Sequence, residues 1–451
     1  MYVKRLTLRN VKCFSDFTLE FPDPPSGDRT GGWYVIVGPN GMGKTSILRA
    51  IALAFLGPRW GSTLSVDTRG WSGEGGGSLE VCYHRGEVHP EAGPIYHCIP
   101  MEVDAMGLAA VPDCRAQLWV ENAASEGSVV VAGYGAFRRA GGRLSPRAHR
   151  APISRFASLF DDDYALDATR WLVEAESRSR PVAGEVAHEY AQLVTGVPSV
   201  LELAGVLPEG FHLERPSPDG IRFADPLGAS VELSDLGDGY RSIVGLTLAL
   251  FRELVGWEPA ENGEGFGRMS RPPVDIEELA GRRGVVLIDE PDAHLHPSWQ
   301  REIGFALQRV FPNMQFIVAT HSPFICQAAS PGGIFRLQMN EEDKRIEVVQ
   351  PVPGTVQGWH IEDIYDQALG VDYVLDVPTQ DDREEYDALE GARIRGELRA
   401  ADEPRLRELE GQLDAKLHPP GRSREERNLY KRLQSLVKEL EGQRRGGGSA
   451  G

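Results

Sequence analysis

An α/β fold built on buried parallel strands is predicted for this chain, and three segments predict it. Residues 33–46 pass from an apolar run through Gly38-Pro39-Asn40-Gly41-Met42-Gly43-Lys44-Thr45-Ser46 into a helical pattern. Residues 284–297 open with Val285–Ile288 and continue as Asp289-Glu290-Pro291. Residues 314–323 repeat the form, with an apolar run ending at Thr320 and His321. Unbroken Val/Ile/Leu runs mark strands covered on both faces, which is the condition of a parallel sheet.

The first segment is a G-x-x-x-x-G-K-T loop in its proper setting, with a strand entering and a helix leaving. Gly38, Gly41 and Gly43 let the backbone turn its N–H groups inward, and the helix end adds partial positive charge. Lys44 is placed to reach the β- and γ-phosphates of a nucleoside triphosphate, and Thr45 to ligate Mg2+. In the second segment Asp289 ends a strand, where a carboxylate holds magnesium through water. Glu290 is placed to orient or deprotonate an attacking water. In the third, His321 stands on the rim where open α/β sheets bind ligands, in position to sense a γ-phosphate. A fourth segment, Leu233-Ser234-Asp235-Leu236-Gly237-Asp238-Gly239-Tyr240-Arg241-Ser242, opens the apolar helix Ile243–Phe251. Its helix end is a second place for an anion. The first loop already cradles the phosphates of its own chain, so this end is expected to serve another subunit's nucleotide.

Composition sets the setting. The 451 residues are 41% hydrophobic and 25% charged, the make-up of an ordinary globular protein with two or three domains. No apolar stretch is long enough for a membrane span, and the first residues carry charges where a signal peptide needs an apolar core. Five scattered cysteines suggest no disulfide framework, so a cytoplasmic protein is expected. Cys82, His84, His97 and Cys98 read as hairpin residues rather than a zinc site, since adjacent strand residues face opposite ways. A net charge of −18 opposes bulk attraction to nucleic acid. One run opposes that total: Arg138 to Arg155 holds Arg138, Arg139, Arg143, Arg147, His149, Arg150 and Arg155 with no acid. It reads first as a solvated basic loop and second as a DNA contact.

Together the four segments resemble the ATP-binding-cassette type of ATPase found in the SMC, RecF and OLD-like families. More narrowly, the chain resembles the ATPase subunits of Septu-type (PtuA-like) antiphage systems. GPNGMGKT is similar to their Walker A, VVLIDEP to their Walker B, ATHSP to their switch segment and LGDGYRS to their signature. Asp292–Pro297 resembles their D-loop, with His296 where many cassette ATPases have aspartate. Two departures stand out. Gly237 occupies the place of the signature serine, with Ser234 a little upstream, and Tyr134–Arg139 lacks the Q-loop glutamine.

The resemblance implies an ABC-type P-loop NTPase head with a helical insertion and a C-terminal helical appendage. The expected organisation is a first lobe over 1–135, with a hairpin at Tyr2–Phe21 and strands near 78–84, 95–101 and 116–135. A helical insertion follows over 136–230, with helical patterns at 163–176 and 185–194 and no coiled-coil arms. A second lobe spans 231–355, including a polar loop at 258–275. Helices over 356–443 and a disordered 444–451 tail complete the chain. The resemblance further implies a homodimer closed around two ATP molecules, open to higher assembly. Each site would join Lys44, Thr45, Asp289, Glu290 and His321 of one subunit with Leu236–Tyr240 and His296 of the other. No nuclease motif is recognisable, so an effector such as an HNH or Toprim nuclease is the expected partner. The alternatives are a RecF-like DNA-binding ATPase of repair or replication and, less well matched, the motor of a membrane transporter.

Overall fold

A computed structural model describes the chain apart from residues 24–30, 58–69, 73–74, 90–92, 105–106, 111–113, 126–128, 137–138, 141–152, 163, 167–168, 181–184, 259–267, 270–275, 372–375 and 418–451. Two compact units result, Met1–Gly370 and Val371–Gly451. The principal strands of the first are β1 (Tyr2–Val11), β2 (Phe14–Glu20), β3 (Gly32–Val37), β4 (Gly77–His89), β5 (Gly93–Asp104), β6 (Gly107–Ala110), β7 (Val130–Tyr134), β8 (Gly284–Asp289), β9 (Met314–Ala319), β10 (Ile334–Met339) and β11 (Ile346–Val349). Its main helices are α1 (Lys44–Leu56), α2 (Arg115–Ser125), α3 (Arg170–Ser179), α4 (Glu185–Ala204), α5 (Asp238–Leu254) and α6 (Pro297–Val310).

A six-stranded sheet runs in the order β11-β10-β3-β9-β8-β7. All neighbours are parallel except β10 and β11. The three apolar runs of the sequence are therefore adjacent central strands, and their carboxyl ends share one edge. Side chains alternate between two cores. Trp33, Val35, Val286, Ile288, Phe316 and Val318 face one of them, together with buried residues of α4, α5 and α6. Tyr34, Ile36, Val285, Leu287, Ile317 and Ala319 face the other, with α1 and the inner face of a second sheet. That second sheet is antiparallel in the order β2-β1-β4-β5-β6 and includes the expected β1–β2 hairpin. Lying between two sheets explains why α1 is buried on nearly every side rather than along one stripe.

Several expectations are corrected. Residues 116–125 form α2 rather than strand. Its buried Val120, Ala123 and Ala124, with Ala116 packed alongside, recur every three to four residues, the helical period. The helix expected at 163–176 begins only at Arg170. The one expected at 185–194 continues through Pro198 to Ala204. An interior proline costs about 3 kcal/mol. The stripe Leu193, Val194, Val197, Val200, Leu201 and Ala204 is buried, and burying each large aliphatic side chain returns about 1.5–3 kcal/mol, so the helix runs on. After α4 three short strands, His212–Leu213, Arg222–Ala224 and Ser230–Glu232, form an antiparallel sheet leading into α5. Within the expected loop at 258–275, Glu258 pairs with Arg268 in a two-stranded ladder, while 259–267 and 270–275 lie outside the described residues.

The absence of disulfides is also corrected. Cys82 and Cys98 are register partners across β4 and β5, and their sulfurs are bonded at 2.04 Å. Only the pairing of those strands reveals this. The crosslink closes a separation of 16 residues, for which the loop-entropy estimate is about 3 kcal/mol. Cys82→Ser should therefore lower stability by about that amount without reductant. Dithiothreitol should lower the wild type equally and leave the variant unchanged, as denaturant melts would show.

Among the described residues no helix is long and apolar enough to cross a membrane. In the second unit α7 (Val377–Arg395) begins at Asp376, whose carboxylate accepts from the Thr379 N–H at 3.1 Å. Ion pairs Arg405–Glu385 (2.6 Å) and Lys416–Asp382 (2.7 Å) join α7 to α8 (Glu403–Leu417). Leu406, Leu409 and Leu413 are the buried stripe of α8. The part of the expected 356–443 helices beyond Leu417, and the 444–451 tail, lie outside the described residues.

Candidate functional site

The first phosphate-binding segment folds as its glycines require. Gly38, Gly41 and Gly43 have φ of 149°, 81° and 87°. At Gly43 space is equally restrictive, since a Cβ there would lie 2.6 Å from the Phe14 ring. Gly43 also occupies the N-cap of α1 and offers no side chain to its first N–H groups. Those N–H groups are thus open to an anion.

Five predicted residues converge at the carboxyl ends of β3, β8 and β9. Lys44 is buried, and its Nζ donates to the carbonyls of Gly38 (2.9 Å) and Pro39 (3.2 Å) and lies 2.7 Å from His321 Nε2. With a charged ammonium donating, that ring nitrogen accepts and the imidazole is neutral. Burial, then Lys44, hold His321 below its ordinary pKa, against the opposing pull of Asp292. Lys44 is itself lowered by burial, with Glu290 and Asp289 opposing. Thr45 Oγ1 donates to Asp289 Oδ2 at 2.8 Å. A hydroxyl and a carboxylate side by side are hard oxygen donors, the set that suits Mg2+ when most of its ligands are waters and phosphate oxygens.

Glu290 follows Asp289 with φ of 45°, its N–H bonded to the Ala319 carbonyl at 2.8 Å. Its Oε1 is 3.8 Å from His321 Nε2. Burial, then Asp292 and Asp289, push its carboxyl from 4.5 up to about 7, with Lys44 and the His321 backbone N–H opposing. Because the folded value is the higher one, the native chain holds the extra proton. The resulting penalty is absent below about pH 4.5, grows as pH rises, and is complete above about 7. Glu290→Gln should therefore raise the melting temperature of the nucleotide-free protein at pH 8 by roughly 2–4 °C. Near pH 4, below both values, the two melting curves should coincide.

The remaining predicted residues form a second group. Leu236 is buried, Gly237 is the N-cap of α5, and Gly237 and Asp238 are exposed. Arg241 is bonded to Asp238 and to the Ser234 carbonyl. Gly239 passes so close to the His294 carbonyl that a Cβ would lie 3.1 Å from it. The Tyr240 ring meets Trp299 edge-on, centroids 5.3 Å apart. His296 is exposed and caps α6, its Nδ1 accepting from the Ser298 N–H at 3.3 Å. Of the basic run, Arg155 is buried, 3.2 Å from Glu253 and bonded to the Ala124 carbonyl, so it is no part of a basic surface. Arg138, Arg143, Arg147, His149 and Arg150 lie outside the described residues.

Sequence reasoning placed Asp292 and Ser322 in the D-loop-like and ATHSP segments without giving either a role, and missed Gln300. Thr320 Oγ1 donates to Asp292 Oδ1, and Ser322 Oγ donates to Gln300 Oε1 at 2.7 Å. One signal was legible: Gln300 lies one turn before Ile303 and Gly304, on the buried stripe of α6.

Residues 132–327 match the family described as "AAA domain, putative AbiEii toxin, Type IV TA system", and residues 5–79 match "AAA domain". The chain is 30% identical over 215 residues to the "Retron Ec83 probable ATPase" of Escherichia coli, covering 47% of this chain and 36% of that protein. To "Septu protein PtuA" of Bacillus thuringiensis it is 37% identical over 90 residues, 20% of this chain and 23% of that one. To the protein of the same name from Bacillus mycoides it is 23% identical over 368 residues, 80% of this chain and 43% of that one. The chain thus spans less than half the length of each of these relatives. Among solved structures, an SMC head bound to the C-terminal winged-helix domain of ScpA aligns with a TM-score of 0.48 at 15% identity, covering 77% of this chain and 98% of that one. The chain has an α/β fold with a phosphate loop at the carboxyl edge of a largely parallel sheet, matches AAA-domain families over part of its length, and resembles the PtuA and retron ATPases.

Proposed function

We propose that this protein is a Mg2+-dependent ATPase that dimerises on ATP and uses the cycle to control a partner effector in antiphage defence. The observation that carries the reading is the convergence of Lys44, Thr45, Asp289, Glu290 and His321 on one rim. In this reading the loop N–H groups and Lys44 hold the triphosphate, while Thr45 and Asp289 hold the metal. Glu290 takes a proton from the attacking water, and His321 leaves Lys44 to meet the γ-phosphate. The exposed Gly237–Asp238 end of α5, with His296, would close over the nucleotide of a second copy. The family match at residues 132–327 supports hydrolysis, and the resemblance to Septu and retron proteins supports the defence role. An HNH or Toprim nuclease is the effector in this reading, which rests on the resemblance to the Septu proteins. Buried Arg155 weakens the RecF-like alternative.

The test is self-association. Light scattering at micromolar protein should give a monomer mass without nucleotide and a dimer with Mg2+ and a non-hydrolysable ATP analogue. A mass unchanged by nucleotide would refute the shared site.

A further inference from the structure

The histidine on the rim is held on one side by the loop that precedes α6 and on the other by the first turn of α6 itself. Thr320, just before His321, is fully buried and bonded to Asp292. Ser322, just after it, is buried, and its N–H donates to Thr320 Oγ1 at 2.9 Å. Gln300 closes the circuit: its Oε1 accepts from Ser322 Oγ at 2.7 Å and its Nε2 donates to the Leu295 carbonyl at 2.9 Å. The loop has a set shape, since Ala293 N–H bonds the Glu290 carbonyl at 3.0 Å and Leu295 N–H the Asp292 carbonyl at 2.9 Å. Its two non-glycine residues of positive φ, Glu290 (45°) and His294 (66°), bracket that turn. Such backbone persists only where the surroundings hold it. The same loop is the seat of α5, through Gly239 against the His294 carbonyl.

We infer that Gln300 is a positioning residue that fixes His321 relative to the 291–296 loop, so that a partner pressing on α5 and His296 is sensed at the rim. This deepens the proposed composite site and rests on that reading. Buried polar networks couple their members strongly, because each unmet group carries a desolvation cost. Moving the loop therefore moves Ser322 and Thr320, and His321 between them. Gln300 itself touches neither nucleotide nor water in this scheme.

The test compares wild type, Gln300→Met, which keeps length and removes both hydrogen bonds, and Ser322→Ala, which removes one of them from the other side. Each is measured for binding of a fluorescent ATP analogue, for dimer mass in a Glu290→Gln background, and for turnover. Both variants should bind the analogue within twofold of wild type and still dimerise, while kcat falls at least tenfold with KM little changed. The double variant should be no slower than Gln300→Met alone, because both act on one link. Turnover within twofold of wild type in either variant would overturn the inference, as would loss of the dimer with binding intact, which would place Gln300 at the interface instead. If Gln300→Met does not fold, Ser322→Ala decides alone. Failure of the Glu290→Gln parent to dimerise would sink the composite site itself, a different and separable result.

Discussion

Glu290→Gln should cut ATP turnover by about 10²–10⁴-fold, the usual worth of a general base, while ATP binding is retained and an ATP-loaded dimer accumulates. The amide preserves the size of the side chain and removes only its capacity to accept the proton. In the nucleotide-free protein Glu290 sits at about 7, pushed up by burial, Asp292 and Asp289. That lies near working pH, where a base is most effective. Gln also removes one negative charge from a site that must receive a triphosphate, so affinity should hold or rise. Single-turnover kinetics with radiolabelled ATP, alongside light scattering, would read both effects. Residual turnover above a tenth of wild type would reassign the base.

Lys44→Met should weaken ATP binding by roughly 10²–10⁴-fold. A charged hydrogen bond contributes about 1.5–3 kcal/mol, and two such bonds to phosphate oxygens would be lost. The ammonium rests on two carbonyls and His321, so binding would exchange those partners for stronger anionic ones. The thermal shift produced by saturating Mg-ATP should vanish in the variant. A second readout concerns His321. Lys44 is among the causes that lower its pKa, so in Lys44→Met the imidazole should titrate higher, as its NMR resonance followed against pH would report. An unmoved His321 titration would mean the 2.7 Å contact does not persist in solution.

The amino-acid sequence announces the parts whose chemistry is local. A phosphate loop needs glycines at fixed offsets between strand and helix, and a buried parallel strand needs an unbroken apolar run. Gly38–Thr45, Val285–Glu290 and Met314–His321 therefore declare themselves without any coordinates. The stretch Arg115–Ser125 was expected as strand and is helix, although the three-to-four spacing of its buried residues is the helical period. The partners of Cys82, Arg155 and Gln300 were not legible. Each depends on which residue lies opposite once β4 meets β5, once Arg155 meets α5 and the end of α2, or once α6 packs beside the segment that follows β9. Short-range pattern thus determined what the rim contains. Long-range packing alone decided that Gln300 would join the loop to the histidine strand. Sequence spacing reports periodicity along one chain, whereas hydrogen bonds and desolvation depend on distances between segments that only the folded core sets.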